Sequence, residues 1–591
     1  MYRAPVAEIS HTLKQVAGMK AAMEDGSLGE LSEDLVDAVL EEAGKFASDR
    51  IAPINKDADL VGAKLNDGVV TTTPGMKQTY IDWAEAGWNA IAAPEEYGGQ
   101  DLPNMIAIAA SEMWNSASMA FGLCPLLTIG AIEALDKHGT QELKDTFLAK
   151  LIAGEWTGTM NLTEPQCGSD LSALKSRAEP AEDGTYRIFG QKIFITFGEH
   201  DMTENICHLV LARLPDAPAG TRGISLFLVP KFLVNQDGSI GERNDVFCQS
   251  IEHKIGIHGS PTCVMIYGDG YADREAGAIG YLIGEENRGL NCMFTMMNNA
   301  RLNVGTQGVS IAEAAYQHAL NYANERKQGK ASSYQGEGMA PIVHHPDIQR
   351  NLLQMKSMTN AARGICYATA HALDMASVKE GDEAKNWAER ASLLTPIAKS
   401  FSTDIGCEVA SIGVQIHGGM GFIEETGAAQ YMRDGRINPI YEGTNGIQAI
   451  DLVSRKLPLS GGECVKAYIS EMRATVEEVR GANHDGFGRT AELLDEAINE
   501  VETTTNWLLE QLANGNMDAA LCGATPYQRQ FGLAAGGCYL AKAGLGEGEN
   551  SRASLARFFA ENYAAECTSL RRTVIEGADS LLAASDLLKT G

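Results

Sequence analysis

The sequence lacks the patterns that mark several large classes of protein. Its twelve cysteines include no Cys-x-x-Cys pair and no regular spacing, which argues against a disulfide framework or a zinc ribbon. There is no His-Glu-x-x-His motif, and the glycine-rich segment 284–289 has no Lys-Ser/Thr pair of the kind that completes a P-loop. We therefore predict no metal site and no P-loop nucleotide site.

Basic charge and long apolar runs are also scarce. A formal net charge of −29 disfavours a nucleic-acid partner, because such partners need a basic face. No run of about 18 apolar residues occurs, so no membrane-spanning helix is expected. Residues 1–5 show no secretory signal and residues 588–591 no peroxisomal Ser-Lys-Leu. We predict a cytoplasmic protein whose cysteines, such as Cys124, Cys292 and Cys366, are buried free thiols.

The periodicity of apolar residues changes twice along the chain. Helical spacing covers about 32–152, short β-rich segments follow between 155 and 267, and long helical patterns return from about residue 291. A chain of 591 residues is too long for one hydrophobic core. We predict a multidomain α+β protein with an N-terminal helical domain at 1–155, a middle β domain at 156–285, a helical bundle at 286–455 and an appended helical domain at 456–591.

Several element boundaries follow from local signals. One helix is predicted to start at Thr73-Pro74, since proline is tolerated in a first helical turn. Two separate strands are predicted at 186–189 and 192–196. Three long helices of a bundle are predicted at about 291–326, 347–378 and 386–411.

A glycine-rich turn and a glutamate stand out near the end of the predicted bundle. Gly418, Gly419 and Gly421 would destabilise a helix, so they indicate that the backbone closely approaches a flat or phosphorylated ligand. Glu442 follows a largely apolar segment and precedes Gly443. A carboxylate in that position can be buried with a raised pKa. An isolated Glu-Gly pair is more often a solvated turn, so the rest of the chain decides.

Two further motifs carry hydroxyl and aromatic side chains. A polar loop places Thr163 and Ser169 on either side of Gly168, whose backbone lets N–H groups approach an acceptor. On the next predicted strand, alternation puts Phe194 and Thr196 on one face, a ring for stacking beside a hydroxyl group. Seen alone, these are an ordinary polar turn and an ordinary core strand.

The motifs together resemble the acyl-CoA dehydrogenase family of flavoproteins. The resemblance covers about residues 35–455, and the whole chain is similar to the bacterial 3-methylmercaptopropionyl-CoA dehydrogenase branch. It rests on five motifs in the family's order: Leu162-Thr-Glu-Pro with Gly168-Ser-Asp170, Lys192-Ile-Phe-Ile-Thr196, Tyr322-Ala-Asn-Glu-Arg-Lys-Gln-Gly329, Gln415 with Gly418-Gly-Met-Gly-Phe422, and Arg433-Asp434 with Ile440-Tyr-Glu-Gly-Thr444.

The resemblance implies a reaction and its partners. An enzyme of this family uses FAD to convert an acyl-CoA thioester to the trans-2-enoyl-CoA, and Glu442 matches the catalytic base that removes the α-proton while flavin N5 takes the β-hydride. The implied partners are an electron-transfer flavoprotein and a second copy of the chain in a homodimer. The implied substrate is 3-methylmercaptopropionyl-CoA, of dimethylsulfoniopropionate demethylation, or a short- or medium-chain acyl-CoA. The acyl specificity stays open.

The resemblance also implies roles for individual residues. Phe194 stands where many members place a tryptophan over the isoalloxazine ring, and Thr196 would bond the flavin edge. Arg326 and Gln328 would reach FAD across a subunit interface. The implied substrate contacts are Ser169, Asn298, Arg301 and Gly443. The implied FAD contacts are Leu162, Thr163, Gly168, Ser169, Phe194, Ile195, Thr196, Arg326, Gln328, Gln415, Gly418, Gly419 and Thr444.

Two related functions are weighed against this one. A DNA-associated flavoprotein of the alkylation-response branch would need a basic C-terminal domain. Residues 456–591 hold 19 acidic and 12 basic residues, a net charge of −7, which disfavours it. An acyl-CoA oxidase would use the same base but deliver electrons to oxygen. The missing peroxisomal signal disfavours it weakly, and the oxygen reactivity of the reduced flavin would distinguish the two.

Overall fold

The computed structural model describes residues 1–482, 484–545 and 550–588, without the side chains of Met296, Asn298 and Asn550. The described residues form twelve strands: β1 (Lys64–Asn66), β2 (Val69–Thr71), β3 (Trp156–Asn161), β4 (Arg177–Pro180), β5 (Tyr186–Thr196), β6 (Asn205–Ala212), β7 (Ser225–Pro230), β8 (Phe232–Val234), β9 (Ile240–Arg243), β10 (Val246–Ile251), β11 (Thr262–Tyr267) and β12 (Ala278–Ile283).

The same residues form nineteen α-helices: α1 (Val6–His11), α2 (Met19–Glu24), α3 (Glu33–Phe46), α4 (Asn55–Val61), α5 (Met76–Glu85), α6 (Asn104–Ala117), α7 (Met119–His138), α8 (Gln141–Ile152), α9 (Gly289–Glu325), α10 (Pro346–Val378), α11 (Gly381–His417), α12 (Ala428–Gly435), α13 (Asn445–Asp451), α14 (Glu463–Ala482), α15 (Thr490–Ala513), α16 (Met517–Cys522), α17 (Ala524–Leu545), α18 (Asn550–Phe559) and α19 (Glu566–Ala584).

The predicted succession of helices, a β domain, a helical bundle and further helices is confirmed by this order of elements. The four predicted domain boundaries are finer than the divisions seen in the structure and stay a prediction. The chain divides into two compact units, the first of residues 1, 43–107 and 113–300 and the second of residues 2–42, 108–112 and 301–591.

The first unit is built around a mixed sheet with the strand order β10-β11-β5-β12-β7-β6-β3, and β4 pairs with β5. β3 and β6 run parallel, and the other pairs in this order are antiparallel. Every residue of β3, β6 and β7 is buried. The β domain could be recognised from the sequence because its strands are short, β-rich segments separated by turn residues.

α7 is long and apolar enough, by length and composition alone, to cross a membrane. The absence of a continuous apolar run of 18 residues did not predict such a helix. Within the first unit, however, 83% of its most apolar 18-residue window is buried, and Leu126, Ala131 and Leu135 belong to the core. The apolar surface of α7 is thus covered by the protein's own residues.

The second unit contains a helical bundle in which α10 and α11 pack against each other and α17 packs against both. The contacts of α17 are close, because a Cβ added to Gly532 would lie 2.3 Å from the ring of Phe401 and one added to Gly536 would lie 2.8 Å from Ala361 Cβ. Gln528 of α17 also donates a 2.8 Å hydrogen bond to the Pro396 carbonyl of α11. The last helices of the chain therefore share a core with the bundle.

A buried ionic cluster lies inside the second unit. The Arg363 guanidinium donates to Glu112 Oε1 at 2.7 Å and to Glu313 Oε2 at 2.8 Å, and it is fully buried. The Tyr367 hydroxyl donates to Glu112 Oε2 at 2.6 Å. Burial disfavours the guanidinium charge, but the two carboxylates outweigh burial and raise the pKa of Arg363 above its ordinary value. Three helices, α6, α9 and α10, are thereby joined through one arginine.

Some predicted boundaries are wrong. The helix expected at Thr73-Pro74 begins at Met76, because Gly75 adopts φ +84° and starts the helix two residues later. The two strands expected at 186–189 and 192–196 are the single strand β5, which continues through Gly190 at φ +139°. The three long bundle helices are confirmed, and the last extends further in both directions, as α11.

The prediction that the cysteines are buried free thiols is confirmed for most of them. Cys124, Cys292 and Cys366 are buried and free, and nine of the chain's twelve cysteines are buried. Burial raises the pKa of the Cys366 thiol to about 12, so this side chain is protonated and unreactive at neutral pH. Among the residues that the structure describes, no group of three or more His, Cys, Asp or Glu side chains is arranged to hold a metal ion.

Candidate active site

In the first unit, the loop that follows β3 is tied to β5. The backbone N–H of Ile193 donates to the Thr163 carbonyl at 2.9 Å, and Lys192 Nζ donates to the Leu162 carbonyl at 3.2 Å and to Glu164 Oε1 at 2.8 Å. Two motifs separated by about thirty residues in the sequence are therefore adjacent in the structure. Leu162 and Thr163 lie beside the strand that carries Phe194, Ile195 and Thr196.

Phe194 has a backbone conformation that strand alternation does not predict. Its φ is +61°, and the register between β5 and β11 shifts here, so that Ile193 and Phe194 together face Val264. The ring is 58% exposed, whereas Ile195 is buried and Thr196 is partly buried. Residues held in such strained backbone conformations cluster at active sites and ligand clamps.

The other two predicted residues of the loop, Gly168 and Ser169, are exposed. A Cβ added to Gly168 would meet nothing within 4 Å, so the backbone here is open to a ligand. Asp170 closes the loop by accepting from the Ser172 N–H at 2.8 Å. The loop thus has a fixed base at Thr163 and an open tip.

The ion pair between Glu164 and Lys192 should make the stability of the fold depend on pH. Burial opposes ionisation of Glu164, but the Lys192 charge and the hydrogen bonds from Lys192, Ser176 and Lys175 prevail and hold its pKa to about 2. A depressed carboxylate pKa stabilises the fold above the unfolded value near 4.5, and this stability is lost as pH falls towards 2. We expect a loss on the order of 2–3 kcal/mol over that range, measured by urea unfolding at several pH values.

The matched variant for this prediction is Glu164→Gln, which keeps the shape but not the charge. It should remove the share of the pH dependence between about pH 4.5 and 2 that Glu164 contributes, while other carboxylates with lowered pKa values, such as Asp183, keep theirs. A variant that follows the wild-type curve would show that the Glu164–Lys192 pair contributes no net stability.

In the second unit, Glu442 lies in a tight turn between α12 and α13. Its φ is +54° and that of Gly443 is +84°, so two successive residues are left-handed. The Asn445 N–H closes the turn on the Pro439 carbonyl at 3.0 Å, and Thr444 caps α13 by accepting from the Ile447 N–H at 3.3 Å. A left-handed glutamate costs about 1–3 kcal/mol and persists only where surrounding contacts impose it.

The environment of Glu442 suits a base. Its side chain keeps some exposure, yet the protein around it is dense enough that burial raises the pKa of its carboxyl above the ordinary 4.5. The positive charges of Arg301 and Lys399 act in the opposite direction. Burial thus raises the proton affinity of the carboxylate, and the two cations limit this rise.

Arg301 has unused hydrogen-bonding capacity. Its nearest carboxylate oxygen in an ion pair is Asp451 Oδ2, at 3.8 Å, and its Nε is buried without a hydrogen-bond partner among the described residues. Burial lowers the pKa of Arg301, while the charges of Asp451 and Glu442 raise it. A buried donor without a partner costs stability, which is understandable if a ligand supplies the acceptor. Asn298, predicted beside it, has a side chain outside the described residues.

Gly443 is favoured by its left-handed backbone, and an added Cβ would also displace the Gln448 side chain. A Cβ at this position would lie 2.7 Å from Gln448 Nε2, and the backbone is left-handed. Gly443→Ala should therefore displace the Glu442 turn, lowering the rate of flavin reduction by roughly 100-fold and stability by about 1–3 kcal/mol. Stopped-flow reduction and thermal melting measure the two effects.

Gly446→Ala is the control for this prediction. A Cβ there would meet only Thr444 Oγ1, at 3.9 Å, and α13 accommodates alanine readily. Near-equal rates for Gly443→Ala and Gly446→Ala would contradict the proposed importance of the turn.

The remaining predicted FAD residues of this unit are exposed and lie at or beyond the ends of α9 and α11. Arg326 and Gln328 follow α9 and contact each other, with Arg326 Nη2 donating to Gln328 Oε1 at 3.4 Å. Gln415 lies in the last turn of α11, where Gly418 takes φ +59° and ψ −138°, a conformation open to glycine. Gly419, like Gly418, has nothing within 4 Å of an added Cβ.

The structure adds residues that sequence reasoning did not identify. Lys399 is fully buried and donates to Asn445 Oδ1 at 2.8 Å, Gln448 Nε2 donates to the Glu442 carbonyl at 3.3 Å, and the Tyr441 hydroxyl donates to Gln307. A lysine on the apolar face of a long helix was the one signal available for Lys399. The other two contacts had no signal in the sequence.

These residues fit FAD. An exposed ring at Phe194 with the partly buried Thr196 two residues further along the strand suits a flavin ring, and the open backbone at Gly168 suits a ligand that approaches closely. Exposed Gly418 and Gly419 offer a similar unobstructed backbone. The individual contacts of these residues with FAD stay predictions.

Family comparisons cover most of the chain. Residues 34–155, 159–269 and 287–457 match the N-terminal, middle and C-terminal domains of acyl-CoA dehydrogenases. Residues 468–585 match the family described as acetyl-CoA dehydrogenase C-terminal like. The predicted extra helical domain at the end of the chain thus has a family match of its own.

Comparisons with individual proteins point to the same family. The chain is 44% identical, over 99% of its length and 100% of the relative's, to the 3-methylmercaptopropionyl-CoA dehydrogenase of Ruegeria pomeroyi. It is 35% identical, over 83% of each chain, to a butyryl-CoA dehydrogenase of Syntrophomonas wolfei. Caenorhabditis elegans ACDH-11 in complex with C11-CoA aligns over 97% of this chain and 95% of its own, with a TM-score of 0.77 and 18% identity, which shows the fold. The chain belongs to the acyl-CoA dehydrogenase family of FAD-dependent oxidoreductases.

Proposed function

We propose that this protein oxidises an acyl-CoA thioester to the trans-2-enoyl-CoA, with Glu442 as the catalytic base. The observation that carries the proposal is the Glu442 carboxyl itself, partly desolvated in a left-handed turn and flanked by the charges of Arg301 and Lys399. Such a carboxylate has a pKa closer to neutrality than a solvated glutamate, which is what abstraction of a weakly acidic α-proton needs.

The chain's own residues would act at three points. The Glu442 carboxylate would remove the α-proton, and the Glu442 backbone N–H would donate to the thioester carbonyl as negative charge develops on its oxygen. The buried Arg301 Nε would hold a substrate acceptor next to the base. FAD, when bound, supplies the hydride acceptor.

The cofactor and substrate contacts are proposed from the motifs and their placement. In the first unit, the FAD contacts are Leu162, Thr163, Gly168, Ser169, Phe194, Ile195 and Thr196. In the second unit they are Arg326, Gln328, Gln415, Gly418, Gly419 and Thr444. Substrate contacts are Ser169, Asn298, Arg301 and Gly443.

We propose 3-methylmercaptopropionyl-CoA as the substrate, on the strength of the near full-length similarity to the Ruegeria pomeroyi enzyme. Short-chain acyl-CoAs are the alternative, favoured by the butyryl-CoA dehydrogenase of Syntrophomonas wolfei. We further propose a cytoplasmic homodimer that passes electrons to an electron-transfer flavoprotein. One methylene or sulfur in an acyl chain changes binding by only about 1–3 kcal/mol, so the choice between substrates has to be measured.

The test is anaerobic bleaching of the FAD-loaded protein. 3-Methylmercaptopropionyl-CoA, butyryl-CoA and octanoyl-CoA are compared by their rates of flavin reduction. The reduced protein is then mixed with an electron-transfer flavoprotein or with oxygen, and fast reoxidation by oxygen would indicate an oxidase. Failure of every acyl-CoA to bleach the flavin would overturn the proposed function, and light scattering would test the homodimer.

A further inference from the structure

Lys399 is an unusual residue for the interior of a helical bundle. It lies on α11, its side chain is fully buried, and its ammonium donates one hydrogen bond, to Asn445 Oδ1 at 2.8 Å. Among the described residues, no carboxylate lies within ion-pair distance of this ammonium. Burial of a lysine without a carboxylate partner opposes its charged form, so this residue is a costly choice for a purely structural position.

Asn445 links this lysine to the turn that carries Glu442. Its backbone N–H closes the turn on the Pro439 carbonyl at 3.0 Å. Its side-chain Nδ2 donates to Asp404 Oδ1 at 2.8 Å and to Thr403 Oγ1 at 3.0 Å. Because the ammonium faces Oδ1 and the Asp404 carboxylate faces Nδ2, the two charges hold the amide in one orientation.

We propose that Lys399 is a positioning residue for the catalytic base, holding the left-handed Glu442 turn through Asn445 and, while protonated, supplying a positive charge beside it. The inference rests on the proposed function, in which Glu442 removes the α-proton. Two left-handed residues in succession need outside support, and the bonds from α11 to Asn445 provide it at the next residue but one after Gly443.

The charge of Lys399 has a second effect on the base. It lowers the pKa of Glu442, against the larger raising effect of burial, and Glu442 in turn favours the charged form of Lys399. Burial nevertheless lowers the pKa of Lys399 to about 7. Other titratable and charged groups face this pair or its partners from every element packed against it. They are Arg301 (α9); Asp404, Cys407 and Glu408 (α11); Tyr441 (the turn); Asp451 (α13); Arg455 and Lys456 (after α13); and Arg529 (α17).

The test compares pH profiles of flavin reduction for Lys399→Met, Lys399→Gln and Asn445→Leu. In Lys399→Met, loss of the cation should move the acidic limb to higher pH by about one unit, since the base loses a charge that kept it ionised. The plateau rate should fall roughly tenfold as the turn loosens. Lys399→Gln should show the same shift with a smaller loss of plateau rate, because its amide can still donate to Asn445. Asn445→Leu should lower the plateau with little shift of the limb.

Lys14→Met is the matched control. Lys14 is a buried lysine of the same unit, bonded to Asp37 at 2.8 Å, and its loss should leave the pH profile unchanged. If both Lys399 variants keep the wild-type limb and plateau while Glu442→Gln fails to bleach, the positioning role is wrong and the proposed function stands. If Glu442→Gln bleaches at the wild-type rate, the proposed base itself is wrong. Should Lys399→Met not fold, Lys399→Gln alone decides, because its shifted limb is required.

Discussion

Glu442→Gln is expected to give a folded, yellow, FAD-loaded protein whose flavin is no longer bleached by acyl-CoA. Glutamine keeps the shape of the side chain but cannot accept the α-proton. Removing a general base lowers a rate by roughly 100- to 10,000-fold, so anaerobic stopped-flow reduction should show a loss in that range. The variant should be at least as stable as the wild type, since burial of a group with a raised pKa makes its ionised form costly at neutral pH.

The pH dependence of the wild type follows from the same group. Because the base must be ionised, flavin reduction should accelerate as pH rises through the pKa of Glu442, which lies above the ordinary value of 4.5.

Glu502→Gln is the control for Glu442→Gln, as Glu502 is a partly exposed carboxylate paired with Arg473 at 2.6 Å in the appended helices. Equal rates in Glu442→Gln and Glu502→Gln would remove Glu442 from the mechanism.

Arg363→Met should destabilise the second unit more than any other single change considered for it. The variant leaves the Glu112 and Glu313 carboxylates buried together without their cation. Breaking a buried ion pair by removing one partner costs about 3–5 kcal/mol, because the remaining charge is uncompensated. Urea unfolding followed by helical circular dichroism should report this loss as a lower midpoint.

Substitution of an exposed arginine is the control, because it shows how much stability is lost when any arginine is replaced by methionine. Arg557 pairs with Glu561 one turn away at 2.8 Å, and both side chains are more than one-third exposed. Arg557→Met should therefore change the free energy of unfolding by less than about 1 kcal/mol. If Arg363→Met unfolds at the same midpoint as Arg557→Met, the buried cluster does not hold α6, α9 and α10 together.

The order of elements was predictable because each part of the chain keeps one period. β3, β6 and β7 are continuous buried runs, and α10 and α11 keep helical spacing over more than thirty residues each. Element boundaries failed where a single glycine decided the backbone. Gly75 delayed α5, and Gly190 carried β5 through a position that looked like a turn.

The site was predictable only as far as local motifs reach. The placement of Glu442 before a glycine is visible in the sequence, but its left-handed backbone depends on contacts with α11, which lies some forty residues earlier. Lys399 could be noticed only as a lysine on an apolar helix face, since no local pattern links it to Asn445. The bulge at Phe194 arises from an extra residue opposite Val264, which the alternation of one strand cannot reveal.

The close fit of α17 onto α10 and α11 makes the side-chain volumes of two distant segments of the chain depend on each other. Gly532 and Gly536 leave room that Phe401 and Ala361 fill, so added bulk on one side requires a matching loss on the other. Replacing the last helices with those of a relative would therefore require substitutions on both packing surfaces. The appended helices and the bundle therefore form one packed core, in which a change of side-chain volume on either surface is transmitted to the other.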